Sequence, residues 1–251
     1  MGCGGVRYGS SVTGTLGSRL ARLTRLAAGT LIASAALIGV SASPAHAVDA
    51  VASYTVAGSL GADGVLDVKA TLQLEGSPQQ VQQRFATTLN SGRDQQYRFA
   101  LTGVGASVGG KVVTPNVASE GDYTVVTVPV AGASGPVEIS YQVSGAAMPA
   151  GKSSSGTDLT EVNWRLLQGL NLPVKVFDAT ITVPGIATSV NCYAGPPATP
   201  GACGFFGAGT HDTPDPTFHA EGLGAGEVVG AVLRFPSSAV KPNADLRKIW
   251  T

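Results

Sequence analysis

Few side chains in this sequence have the types and spacing that chemistry needs, and Cys192 and Cys203 come first among them. A thiol pair can ligate metal, exchange electrons or close a structural disulfide. Ten residues separate the two, and neither belongs to the close Cys-x-x-Cys pair that metal and redox sites use. In an exported chain the surroundings are oxidising, so Cys192 and Cys203 are expected as a disulfide closing a Pro/Gly-rich loop. His211, Asp212, Asp215 and His219 all carry metal-ligating atoms within nine residues. An extended segment of that length spans about 25 Å, and Pro214 and Pro216 stiffen it, so loop positions without convergence are expected.

Asp158 and Glu161 form an acid pair of the kind glycoside hydrolysis uses, but that reaction needs two carboxylates at a set separation across a cleft. Solvated strand-end charges are the simpler expectation. Gly151-Lys152-Ser153 matches the end of a phosphate loop. Ala146, however, stands where the loop's first glycine belongs, and Ser154, Ser155 and Gly156 open no helix. No Gly-x-Ser-x-Gly nucleophile elbow and no histidine placed to serve a Ser or Cys are expected. Trp164 sits on an alternating run and is expected in the core. No catalytic, cofactor-binding or metal-ligating set emerges, and no cofactor is implied.

The amino-terminal residues say where such a chain goes. Arg7, Arg19, Arg22 and Arg25 precede an apolar run of 15 residues at 26–40, followed by Ala45-His46-Ala47. That order is a secretory signal peptide, residues 1–47, and the run falls short of the roughly 20 residues of a membrane span. There is no Arg-Arg pair, so general secretion fits better than twin-arginine export. An uncleaved signal anchor is the alternative. Cys3 lies ahead of the apolar run and leaves with the signal. Cleavage after Ala47 leaves 204 of the 251 residues and a net charge of −4, because four of 16 basic and none of 16 acidic residues are removed. No basic tract remains, which argues against a nucleic-acid partner. The expected partner is an unknown envelope component or protein. Membrane association follows only from an uncleaved signal or a lost carboxyl-terminal anchor.

Period-two alternation dominates residues 48–240 and predicts half-buried strands. Leu66, Val68, Ala70, Leu72 and Leu74 face one way, and Asp67, Lys69, Thr71, Gln73 and Glu75 the other. The same pattern recurs at Tyr97-Phe99-Leu101, Val137-Ile139-Tyr141-Val143, Val162-Trp164-Leu166, Phe177-Ala179-Ile181-Val183 and Val229-Ala231-Leu233-Phe235. Ser77-Pro78-Gln79-Gln80 offers a helix cap, so residues 77–84 are expected as a short helix or a loop. Residues 145–156, rich in Ser and Gly, are expected as a flexible connection. Residues 241–251 read as a short tail.

The carboxyl-terminal half resembles the extracytoplasmic amino-terminal domain of the domain-of-unknown-function 2207 family, the YciQ-like predicted membrane proteins. The residues that carry the resemblance are Ile139-Ser140-Tyr141-Gln142-Val143, Asn163-Trp164, Gly169, Pro173-Val174, Thr182-Val183-Pro184-Gly185, Cys192-Tyr193-Ala194-Gly195, Cys203, Phe218, Leu223, Gly226-Glu227 and Phe235-Pro236. Asp63-Gly64 and the strand after it match more weakly. Lys69 and Ala70 stand where the family pattern carries an acidic residue, and the membrane helices that follow the family's domain are not found after Pro236. The resemblance implies architecture and location, and no activity comes with it. The expectation is an all-β, Ig-like antiparallel β-sandwich of about nine or ten strands. In function it is expected to be an exported, non-enzymatic binding or interaction module of the cell envelope. The alternatives are a hydrolase on envelope glycans or peptides using Asp158 and Glu161, and a truncated fragment of a membrane-anchored protein.

Overall fold

Short alternating runs with turn residues between them fold this chain into strands alone. The computed structural model describes residues 48–249, which hold 19 β-strands and no helix. Residues 1–47, expected as a signal peptide, lie outside the described residues. In chain order the strands are β1 (Ala50–Leu60), β2 (Leu66–Glu75), β3 (Gln80–Ala86), β4 (Thr88–Asn90), β5 (Gln95–Arg98), β6 (Ala100–Val108) and β7 (Lys111–Val113). Next come β8 (Asn116–Glu120), β9 (Tyr123–Pro129), β10 (Val137–Ser144), β11 (Ala147–Lys152), β12 (Asp158–Leu167) and β13 (Val174–Thr182). The last are β14 (Ser189–Gly195), β15 (Gly201–Ala202), β16 (Phe205–Gly207), β17 (Thr217–Leu223), β18 (Val228–Pro236) and β19 (Asp245–Lys248).

They form an eight-stranded sheet, order β16-β17-β13-β1-β2-β10-β6-β7, and a five-stranded sheet, order β11-β12-β18-β14-β15. Two three-stranded sheets, β19-β5-β4 and β3-β9-β8, complete the set. One buried apolar cluster joins the layers. It takes Val56, Leu72, Ile139 and Phe177 from the first sheet, Val162, Leu166, Leu233 and Phe235 from the second, and Val81, Phe85 and Val128 from β3 and β9. Removing this apolar area from water is the main stabilising term, as in any sandwich-type packing. Aromatic rings mark where the layers meet. Phe85 packs edge-on to Tyr141 at 4.8 Å, Phe99 lies 5.5 Å from Trp164, and the Trp164 indole donates to the Tyr141 hydroxyl at 3.4 Å.

Several expectations change. The strand count exceeds the sequence reading because short rim strands such as β4, β7, β15 and β16, of two or three residues each, are too brief for a periodicity to register. The arrangement is not purely antiparallel either. β1 runs parallel to β13, from Val51↔Val174 to Ser59↔Thr182, while pairing antiparallel with β2 on its other edge. Alternation fixes which face a side chain takes and carries no information on strand direction. The segment 77–84 forms no helix. β3 points Val81, Gln83 and Phe85 inward, and the polar Gln83 in the middle hides that alternation.

Tyr97-Phe99-Leu101 does not run as one strand. β5 buries Gln96 and stops at Arg98, and the chain then moves to another sheet at Ala100. Residues 145–156 are no linker, since Ala146, Ala147 and Met148 are buried and β11 pairs with β12. Residues 241–249 are woven in through Asn243 and through β19, which pairs with β5.

Candidate binding site

The disulfide Cys192–Cys203 is formed, with a Cα–Cα separation of 5.5 Å, well inside the usual range. Its position gives it a structural meaning that the sequence did not show. Cys192 lies on β14 in the five-stranded sheet, and Cys203 lies between β15 of that sheet and β16 at the edge of the eight-stranded one. The bridge therefore sits where the chain passes from one layer to the other.

The remaining candidate residues separate. His211 and Asp212 pair only with each other, at 3.5 Å, on exposed side chains. Asp215 accepts hydrogen bonds from the Thr182 hydroxyl and the Val183 amide, both at 3.1 Å, and so closes the end of β13. His219 is the exception, because it sits between two carboxylates. Its Nδ1 lies 2.7 Å from Asp178, the residue opposite it on β13, and its Nε2 lies 3.2 Å from Glu221, two residues along its own strand face. The Asp178 hydrogen bond is the main cause that raises the His219 pKa, with Glu221 adding to it and partial desolvation opposing. Among the described residues no group of three or more His, Cys, Asp or Glu is arranged to hold a metal ion.

Asp158 and Glu161 fall on opposite faces of β12, and each is held by a cation. Lys152 bonds Asp158 at 2.7 Å and Arg234 bonds Glu161 at 2.8 Å. They share no cleft. Gly105-Ala106-Ser107-Val108-Gly109 does fit a Gly-x-Ser-x-Gly pattern. It lies in β6 and its hairpin turn rather than at a strand-to-helix elbow, and the Ser107 hydroxyl bonds Glu138 at 3.1 Å. Gly151-Lys152-Ser153 turns the β11–β12 hairpin, where the Ser153 amide donates to Thr157 O at 2.8 Å.

Two surface regions remain that could hold a ligand. The first is a trough of about 530 Å³ on the outer face of the eight-stranded sheet. Strand register builds it. Thr180, Ala57, Lys69, Ser140 and Gly105 lie side by side on five successive strands, and Thr182, Ser59, Asp67, Gln142 and Thr102 form the next row. The small Ala57 and Ser140 on either side of Lys69, with Gly58 and Gly103, leave the hollow, and Ser59, Asp67, Lys69 and Gln142 line it with hydrogen-bonding groups. Gln142 donates to Asp67 at 2.7 Å, and Lys69 bonds Glu138 at 2.8 Å, which with Ser107 lowers the Glu138 pKa.

The second region is a pocket of about 260 Å³ lined by Arg84, Tyr123, Arg165, Gln168, Pro197 and Gly226. A smaller hollow of about 70 Å³ shares Arg165 and Gln168 and is otherwise walled by residues such as Ala86, Leu89, Phe99 and Tyr193. The frame is well anchored. The Arg84 amide donates to Gly169 O at 3.1 Å, and the buried Gln168 side chain accepts from the Ala86 amide at 2.9 Å while donating to Arg165 O at 3.2 Å. The Arg84 guanidinium stacks 4.6 Å from the Tyr123 ring centre, and Glu120 reaches it only at 3.8 Å. Arg165, half-buried, forms no ion pair among the described residues. On the adjoining strands the Tyr193 ring lies over Gly230, where any Cβ would meet it, and its hydroxyl donates to Asn163 at 3.3 Å.

No family model matches this sequence, and no curated protein matches it. Solved structures give weak likenesses. An M1 zinc metallopeptidase from Deinococcus radiodurans aligns with 72% of this chain and 42% of its own, at 11% identity and a TM-score of 0.34. Legionella pneumophila aminopeptidase A in complex with aspartic acid aligns with 72% of this chain and 21% of its own, at 5% identity and a TM-score of 0.32. The chain thus spans less than half the length of each, and likenesses of this extent assign it neither fold nor activity.

Neither surface region is visible as a motif. The trough comes from outward positions of strands that meet only through register. Arg84 and Arg165 lie on β3 and β12, in different sheets. The one sequence signal for the trough was the run of small and polar residues alternating with the apolar ones.

Proposed function

We propose that this protein is an exported, non-enzymatic binding module of the cell envelope, an Ig-like member of the domain-of-unknown-function 2207 family. The observation that carries this reading is the trough on the eight-stranded sheet, where Ser59, Asp67, Lys69, Ser140 and Gln142 offer donors and acceptors beside Ala57, Gly58 and Gly103. Such a surface suits a hydroxyl-rich chain such as an envelope glycan, which lies along a row of hydrogen-bonding groups. The disulfide supports an oxidising, extracytoplasmic setting. No helix among the described residues is long and apolar enough to cross a membrane.

The test is co-sedimentation of the purified protein with washed cell-wall and membrane fractions. Wild type is expected in the cell-wall pellet. Ser140→Trp, which fills the trough from an exposed position, is expected to stay in solution with an unchanged melting temperature. A wild type that pellets with neither fraction, or a variant that pellets as well as wild type, removes the reading.

A further inference from the structure

We propose that the Arg84–Arg165 pocket binds the terminal carboxylate of a short peptide whose last side chain is apolar. This site is separate from the trough and does not depend on the glycan reading. A half-buried guanidinium has lost part of its hydration, and nature normally supplies it with a carboxylate or a close ring of acceptors. Arg165 has no such ion-pair partner among the described residues, and Arg84 has only the distant Glu120 at 3.8 Å, an exposed contact of small worth. Two cations therefore line one hollow of about 260 Å³ with little anionic compensation. A planar carboxylate matches the forked donors of guanidinium groups, and Tyr123 already holds the Arg84 plane in place.

The adjoining hollow narrows the class. It measures about 70 Å³ and shares Arg165 and Gln168 with the anion pocket. Ala86, Leu89 and Phe99 give it apolar walls, and Arg165 lines both it and the anion pocket. A carboxylate bound by the arginines would thus direct the substituent on its neighbouring carbon into that hollow. Inorganic phosphate could use the cationic pocket but would leave the apolar one empty. The frame is set before any ligand arrives, because Gln168 ties the Arg165 carbonyl to the Ala86 amide and Arg84 is hydrogen-bonded to Gly169.

The experiment is an NMR titration of the full-length protein with acetyl-Ala-Ala as free acid, with the same dipeptide amidated, and with inorganic phosphate. The free acid is expected to shift the amides of Gly169 and Gly226 and to bind about tenfold or more tightly than the amide. Arg165→Gln is expected to lose about tenfold in affinity, while Arg165→Lys, which keeps the charge without the fork, loses less. Circular dichroism of the two variants serves as the folding control, and Arg84→Gln offers a second site if either unfolds. Equal binding of acid and amide, binding unaffected by Arg165→Gln and Arg84→Gln, or a response to phosphate alone would each overturn the proposal. So would no response to the free acid at millimolar concentration.

Discussion

His219 shows how a residue that reads as a stray loop histidine gains a defined state from its neighbours. Asp178 on β13 and Glu221 on its own strand both accept from its ring, and the facing β16 offers only the uncharged Phe205. Because folding raises its pKa above the ordinary 6.5, the protonated form is favoured in the folded state. That stabilisation is complete below 6.5 and fades as pH climbs through the raised value. The melting-temperature gap between wild type and His219→Gln should therefore be wider at about pH 6 than at about pH 9. An equal gap at both would mean that the ring is not protonated between its two carboxylates.

The Tyr54–Gln83 pair illustrates the opposite case, polar groups without water. The Tyr54 hydroxyl donates to Gln83 Oε1 at 3.1 Å in the core, burial pushes its pKa well up, and Gln83 Nε2 finds no partner. Tyr54→Phe leaves Gln83 wholly unsatisfied and should cost about 1–3 kcal/mol. Tyr54→Phe with Gln83→Met removes both polar ends at similar volume and should recover much of that loss in urea unfolding.

At the scale of elements, the disulfide acts on the gap between sheets. With the bridged positions 11 apart in sequence, its loss as the Cys192→Ser/Cys203→Ser pair is expected to cost about 3 kcal/mol on the chain-entropy view. Since Pro197 lies in that loop and lines the arginine pocket, the double variant should also loosen that pocket. Denaturant titration checks the first effect, and the Gly226 amide shift the second. Most strands were legible at this scale. Leu66 to Leu72, Val137 to Val143 and Val229 to Phe235 bury the alternating set their sequence marks. β3 was not legible, because Gln83 broke the pattern, and β15 and β16 are too short to make one.

At the scale of the whole molecule, the first and last segments of the described chain are both built into the fold. β1 is an interior strand of the eight-stranded sheet, between β13 and β2. Asn243 accepts from the Gly145 and Ala147 amides, at 3.0 and 3.3 Å, and donates to Asp63 O at 3.2 Å, joining the β1–β2 turn to the β10–β11 connection. Asn243→Ala should lower stability by about 1–3 kcal/mol, read by thermal or chemical unfolding, because it strands two backbone amides. A neutral substitution would mean that water replaces the side chain at no cost.

By itself the sequence determined the all-β class, the face that most side chains take and the Cys192–Cys203 bond. Each of these is set by neighbours a few positions apart or by the redox setting of a lone pair. The tertiary structure decided which strands lie side by side, that β1 runs parallel to β13, and that Lys69 meets Ser140 while Arg84 and Arg165 line one pocket. Those outcomes depend on strand order and register, where one residue of slip reverses every face, and no local periodicity encodes either.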